Sequence, residues 1–133
     1  MTDRSLYDPA AEAPEDYDAV RDHLVADAVR HAAAHVPEVR ARLDRAGVSA
    51  DGVTGVADLA GVAVLDKDSV PDLQAAAPPF GGMLAVPPSE LTRIYVSPGP
   101  ILDPQGPGPD FWGMAPAAWA AGFRAGDVVL NTF

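Results

Sequence analysis

Few residues of this chain combine the right types and spacing for chemistry, and the most suggestive are two histidines. His31 and His35 are four residues apart in a helix-prone segment, so both imidazoles are expected on one helical face, as a pair of metal ligands would require. The three residues between them are alanines, so the segment has no glutamate base, and no third ligand is evident. The sequence therefore favours packing or partial exposure of the pair, and we predict no metal site.

Three other constellations admit a chemical interpretation, but a structural one is favoured for each. The cluster Asp66–Asp68 surrounds the single lysine, yet an aspartate before a short helix is typical of an N-cap. Ser97 has no evident base and no nucleophile-elbow pattern around it. Trp112 and Trp119, seven residues apart, would share one helical face; they could line an aryl pocket, but buried packing is favoured because such rings bury large areas.

Composition excludes several classes of function. The 133 residues include nine Lys and Arg against 19 Asp and Glu, a formal net charge of −10, which disfavours nucleic acid and anionic membranes as partners. Cysteine is absent, so disulfides, thiolate nucleophiles and zinc–thiolate sites are excluded. We see neither a secretory signal nor an apolar stretch of bilayer length, and we therefore expect a cytoplasmic protein.

The elements that must position these residues fall into three predicted zones. Residues 1–18 form an acidic lead-in, and residues 19–91 form a helical lobe with turns. The first helix starts after Pro14, the second begins near Pro37, and Gly47 is expected to end the second in a left-handed cap. The predicted apolar stripe of the first helix consists of Tyr17, Val20, Leu24, Ala28, Ala32 and His35.

Between the two helices and the last zone, the sequence indicates short turns and loops. Thr54 is expected to cap a short turn, and Asp66 is expected to cap another. Residues 78–82 contain adjacent prolines and adjacent glycines, which predict a loop.

The last zone, residues 92–133, predicts the first strand, helix and strand of an α/β sheet domain. Residues 93–96 are β-branched and aromatic and indicate a strand, whereas the proline-rich residues 97–109 indicate a loop. Residues 111–122 are helix-prone, and residues 128–133 read as a second strand. Strand, helix and strand in this order are typical of a parallel crossover.

The apolar run Val128–Leu130 suits a strand buried on both faces, which requires neighbouring strands and covering layers. Only one other strand is predicted from the sequence, and a two-stranded sheet is marginal by itself. We therefore expect the chain to be the front part of a larger α/β protein. The alternative is that a second copy covers the strand in a homodimer.

Four groups of segments occur in the order found in one enzyme family. They are Val29–Ala32 with His35–Pro37 and Ala46–Val48; Asp58–Leu59 with Asp66–Asp68; Phe80–Gly81 with Leu84–Pro87 and Glu90–Ile94; and Ala121–Val129. Over roughly residues 20–133 the chain resembles phenylacetate–CoA ligases, members of the AMP-forming, adenylating acyl-CoA synthetases.

This resemblance implies an α/β fold, with an N-terminal helical lobe followed by the start of a layered adenylating-enzyme domain, incomplete here. It implies ATP, Mg²⁺ and coenzyme A as cofactors, and formation of an acyl adenylate followed by a CoA thioester. The implied partner is the remainder of a larger ligase chain or a second copy. Asn131 and Phe133 stand where the acyl pocket of the family would begin.

The phosphate loop of such ligases is rich in Ser, Thr and Gly and contains a lysine, and this chain diverges from it. Ser97 and Gly99 fit the pattern and form the nucleotide-loop remnant, whereas Pro98 and Pro100 each remove a backbone donor. Asp103 adds a negative charge where phosphates would bind. We therefore predict no catalytic residue in this segment and no activity for the chain alone. The alternative is a non-catalytic α/β interaction module related to the family.

Overall fold

The computed structural model describes residues 15–130 and 132, so most of the predicted acidic lead-in lies outside the described residues. The described residues fall into two compact units, one ending at Gly106 and the other starting at Pro107. The domain boundaries predicted at residues 18 and 91 stay predictions.

The first unit opens with two helices, of which the second begins and ends at the predicted residues. Helix α1 spans Tyr17–His35, and the carboxylate of Asp16 caps it by accepting from the backbone N–H of Ala19 at 2.9 Å. Helix α2 spans Pro37–Ala46, with its proline in the first turn, where a missing N–H costs nothing. Gly47 ends α2 with φ of 68°, which confirms the predicted left-handed cap.

The face that α1 turns inward is not the predicted one. Tyr17 and Leu24 of the predicted stripe are 65% and 61% exposed, whereas Ala26 is buried and Val25 and Val29 are half-buried. Apolar residues occur on more than one side of α1, so periodicity alone did not decide which side would meet α2. None of the helices in the described ranges is long and apolar enough to cross a bilayer.

A series of short elements follows, with 3-10 turns at Ala50–Gly52, Val56–Leu59, Lys67–Ser69 and Pro88–Glu90 and with helix α3 at Val70–Ala76. Asp66 accepts from the N–H of Asp68 at 3.1 Å, which confirms its capping role. The role predicted for Thr54 is wrong, because its hydroxyl and N–H both point to the carboxylate of Asp58, at 2.9 and 2.8 Å. The capping acceptor is therefore Asp58, a residue within the Val56–Leu59 turn, rather than Thr54, which precedes the turn.

The core of the first unit is small and draws on loops as well as helices. Val53 is the most deeply buried residue, at 1% exposure, and the buried apolar set also includes Leu43 and Val70. Phe80 is buried although it lies in the Pro78–Gly82 segment, which forms turns as predicted. The loop thus contributes an aromatic ring to the interior.

The sheet of the described chain is a two-stranded antiparallel hairpin, with strand β1 at Arg93–Ser97 and strand β2 at Ile101–Gln105. Strand β1 confirms the prediction, but β2 contradicts the loop predicted for residues 97–109. Pro104 pairs with Ile94 and lies two residues after Leu102, whose N–H points away from β1. Because backbone groups two residues apart in a strand face the same side, the nitrogen of Pro104 also faces away from β1. A proline at such an outward position removes no hydrogen bond between the two strands.

The second unit contains helix α4 at Ala115–Ala120, shorter than the predicted residues 111–122. The carboxylate of Asp110 accepts from the N–H groups of Met114 and Ala115 at 2.8 and 3.0 Å, which fixes the start of α4. Trp112 precedes α4, so the prediction that it shares a helical face with Trp119 is wrong.

The second predicted strand is also wrong over the residues that the structure describes. Val128 and Leu130 are 100% and 85% exposed, and the segment between Val128 and Leu130 has no regular secondary structure. The predicted parallel crossover is therefore absent from residues 15–130. An apolar run forms a strand only where a neighbouring strand accepts its hydrogen bonds, and none is described beside this one.

Candidate functional site

The segment predicted to be a nucleotide-loop remnant forms the turn of the β1–β2 hairpin. Ser97 ends β1, is half-buried and pairs with Ile101, and residues 98–100 make the connection. Gly99 has φ of 118°, a conformation that side chains rarely adopt. Because both neighbours of Gly99 are prolines, its N–H is the one backbone donor among the three turn residues.

A phosphate cradle needs several N–H groups converging on one anion, together with hydroxyls or a cation. The hairpin turn offers the Gly99 N–H and the Ser97 hydroxyl, and Asp103 follows on β2 as a half-buried carboxylate. Lys67 is exposed in a separate 3-10 turn. The residues present in this turn do not fit a triphosphate.

Gln74 of α3 holds the hairpin from one side. Its side-chain Nε2 donates to the carbonyl of Leu102 at 2.9 Å, and its Oε1 accepts from the N–H of Leu102 at 3.0 Å. Gln74 is only 9% exposed, so these bonds form largely away from water. Sequence reasoning missed this residue because a glutamine in a helix is an ordinary surface residue.

Gln105 organises the other end of the hairpin. Its backbone carbonyl accepts from the N–H of Thr92 at 2.8 Å, and its side-chain Oε1 accepts from the Tyr95 hydroxyl at 3.1 Å. The guanidinium of Arg93 approaches the same oxygen at 3.5 Å. Gln105 is 7% exposed. These contacts of Gln105 connect the end of β2 to β1 and to Thr92, the residue before β1.

The two predicted ligand-type histidines lie together on α1. The rings of His31 and His35 stack with centroids 4.4 Å apart and an angle of 30° between their planes. His35 Nδ1 lies 2.8 Å from the backbone carbonyl oxygen of His31, and both residues are exposed. Within the ranges that the structure describes, no group of three or more His, Cys, Asp or Glu residues could hold a metal ion.

The aromatic residues of the second unit form local contacts. The guanidinium of Arg124 lies 3.8 Å from the ring centroid of Trp119, and Phe111 meets Trp112 edge to face with centroids 5.1 Å apart. Asn131 and Phe133, predicted as a wall of an acyl pocket, lie outside the described residues.

Comparison with known proteins finds similarity among solved structures, while no family model and no curated protein matches the chain. A crystal structure of 2-hydroxyisobutyryl-CoA ligase in the postadenylation state with R3-HIB-AMP matches with a TM-score of 0.74 and 27% identity. The match covers 92% of this chain and 29% of that chain. The same ligase with 2-HIB-AMP gives 0.69 and 27%, covering 91% and 30%.

A third structure of that ligase, in the thioesterification state with 2-HIB-AMP and CoA, matches with a TM-score of 0.60 and 24% identity, covering 75% of this chain and 25% of that one. All three neighbours are AMP-forming acyl-CoA ligases. The described chain therefore has the fold of part of an adenylating enzyme, as predicted. It spans between a quarter and a third of the length of each neighbour.

Proposed function

We propose that this chain forms the N-terminal region of an AMP-forming acyl- or aryl-CoA ligase resembling phenylacetate–CoA ligase. The observation that carries the proposal is the match across 92% of the chain, at a TM-score of 0.74, to a ligase holding an acyl adenylate. The four family-like segments support it independently of the backbone comparison.

In the proposed enzyme, the carboxylate of an acid attacks the α-phosphorus of ATP and forms an acyl adenylate with release of pyrophosphate. The thiol of coenzyme A then attacks the acyl carbon, which forms the thioester and releases AMP. ATP, Mg²⁺ and CoA would thus serve the complete ligase, which we place in the cytoplasm. The neighbours support this chemistry, since they are complexes with adenylates and, in one case, with CoA.

The described residues contribute scaffold rather than chemistry to that reaction. The hairpin turn lacks the donors for a triphosphate, so the chain alone should bind ATP poorly and should not turn over. Asn131 and Phe133 are proposed as part of the acyl-pocket wall, completed by the rest of a larger ligase chain.

A second candidate function is a non-catalytic interaction module that dimerises. The observation that favours it is the exposure of the apolar residues Val128 and Leu130. Burying such residues against a second copy would remove apolar surface from water. Light scattering distinguishes the candidates, because a monodisperse dimer with a cooperative melt supports the module.

The ligase proposal is tested on the native polypeptide. An antibody raised against this chain should detect, in extracts of the source cells, a protein several times longer that co-purifies with CoA-thioester formation. A native protein of only 133 residues without a ligase partner would overturn the proposal.

The inactivity of the isolated chain has its own test, ATP–pyrophosphate exchange with Mg²⁺ and either phenylacetate or 2-hydroxyisobutyrate. We expect no exchange above a blank without protein. Exchange from the purified chain would show that the hairpin turn or other residues of this segment hold ATP after all.

A further inference from the structure

We propose that the outer edge of strand β1 is the surface to which the remainder of the proposed ligase chain adds a strand. The inference rests on the proposed ligase function, because it assigns this edge to the rest of the same enzyme. The surface consists of the outward backbone groups and the side chains of Ile94 and Val96. The partner is an extended segment that presents apolar side chains to them.

The backbone groups of Ile94 and Val96 face away from the hairpin. Val96 pairs with Leu102, and the N–H and carbonyl of Leu102 point outward, to Gln74. In an antiparallel ladder two opposite residues either bond to each other through both groups or both point away, so the groups of Val96 point to the outer edge. Those of Ile94, two residues earlier, do the same. Within the part of the chain that the structure describes, these outward groups have no hydrogen-bond partner.

The two edges of the sheet differ in their capacity to accept another strand. The edge of β2 is closed, because Gln74 occupies the outward groups of Leu102 and because Pro104 has no N–H to donate. Proteins commonly protect free edges with lysines, prolines or bulges. Strand β1 has none of these between Ile94 and Ser97, where it pairs with β2 residue by residue. The edge of β1 is therefore open to pairing.

The side chains at the same edge are apolar and exposed. Ile94 and Val96 lie on one face of β1, since they are two residues apart in a strand, and they are 52% and 66% exposed. Both are β-branched, and such side chains pack well against those of a neighbouring strand. An added strand would thus bond the open backbone groups and cover apolar surface at the same time.

The remainder of a ligase fits this edge better than a second copy of the chain does. The match to the ligase with R3-HIB-AMP covers 92% of this chain but 29% of that chain, so most of that ligase lies outside the matching region. A second copy carries the same net charge of −10, which opposes the approach of two copies. The occupant that we assign is therefore a strand from the rest of the enzyme.

The test is hydrogen–deuterium exchange at single backbone amides, measured on the 133-residue chain and on the longer native ligase isolated with an antibody against it. In the 133-residue chain the amides of Ile94 and Val96 should exchange rapidly. In the native ligase both should exchange at least about a hundredfold more slowly. Tyr95 is the internal control, because its amide faces Asp103 of β2 and should be protected in both proteins.

A proline variant tests the edge by a second measurement. V96P removes the outward N–H and leaves the hydrogen bonds between β1 and β2 in place. V96T is the matched control, since it retains both the N–H and the β-branched shape. The drop in melting temperature from V96T to V96P should be larger in the native ligase than in the 133-residue chain.

The outcomes separate this proposal from the ligase function itself. Rapid exchange of Ile94 and Val96 in the native ligase, or equal effects of V96P in the two proteins, overturns the proposal and leaves the ligase function intact. Slow exchange of both amides in the 133-residue chain, relieved by dilution, assigns the edge to a second copy and also overturns it. A native protein of only 133 residues without a ligase partner overturns both.

Discussion

The side-chain amide of Gln74 closes the outer edge of strand β2 at Leu102, donating to its carbonyl at 2.9 Å and accepting from its N–H at 3.0 Å. An amide side chain here makes the pair of hydrogen bonds that a neighbouring strand would make. These two hydrogen bonds connect α3 to the hairpin. They also occupy the outward backbone groups of Leu102 at one edge of the small sheet, where free groups would be prone to pair with other chains.

Replacing Gln74 by leucine should destabilise the first unit. In Q74L the N–H and carbonyl of Leu102 lose their partners in a largely buried place, which costs about 1–3 kcal/mol for such groups. Urea denaturation followed by circular dichroism measures the loss. D72N, an exposed change in the first turn of the same helix, is the control and should lower the urea midpoint less than Q74L does.

The conservative variant Q74E refines this prediction. It retains an acceptor for the Leu102 N–H but loses the donor to the Leu102 carbonyl, so its stability should fall below that of the wild type. Equal midpoints for Q74L and the wild type would show that water satisfies Leu102 and that the amide is dispensable.

Two adjacent glycines with similar backbone angles should respond differently to alanine. Gly81 and Gly82 have φ of 66° and 69°, so each alanine bears the cost of a left-handed conformation, about 1–2 kcal/mol. A Cβ at Gly81 would lie 3.1 Å from the backbone carbon of Leu73, whereas at Gly82 the nearest atom is Pro37 Cβ at 3.7 Å. G81A should therefore cost about 1–3 kcal/mol more than G82A.

The two glycine variants serve as each other's control, because the conformational term is common to both. The difference between their urea midpoints therefore reports the steric cost of the Cβ at Gly81. If G82A is as destabilised as G81A, the close approach of the Pro78–Gly82 segment to α3 is not a determinant of stability.

Asp58 should make stability depend on acid pH. Hydrogen bonds from the backbone N–H of Thr54, from its hydroxyl and from the N–H of Gly55 lower the pKa of Asp58 below the ordinary 3.8. A carboxyl with a lowered folded-state pKa contributes stability above its unfolded pKa, and that contribution is lost as pH falls through the folded value. D58N should therefore be less stable than the wild type at neutral pH.

The difference between D58N and the wild type should shrink as the pH is lowered from about 6 to below the ordinary aspartate pKa. Urea midpoints across this range measure it, with D51N, a change of an exposed carboxylate in the preceding turn, as the control. A difference that stays constant across the range would show that the hydrogen bonds of Asp58 do not depend on its charge.

Local signals predicted much of the first unit. Pro37 and Gly47 mark the ends of α2 through their own chemistry, namely a missing N–H and freedom at positive φ, so neighbours in sequence suffice to predict them. The β-branched and aromatic residues of β1 likewise predicted a strand. The resemblance to adenylating enzymes predicted the fold that the solved ligases share with this chain.

The features that the sequence did not predict depend on contacts between residues that are far apart in the chain. Strand β2 exists because β1 supplies hydrogen bonds on one side and Gln74 on the other, an arrangement that a proline-rich segment does not reveal by itself. The inward face of α1 was chosen by its packing partner, and the apolar Val128–Leu130 run lies exposed because no described strand accepts its backbone. Local residue types therefore determined where elements begin and end, whereas pairing and burial depended on groups far apart in sequence, since hydrogen bonds and apolar contacts need a partner in space.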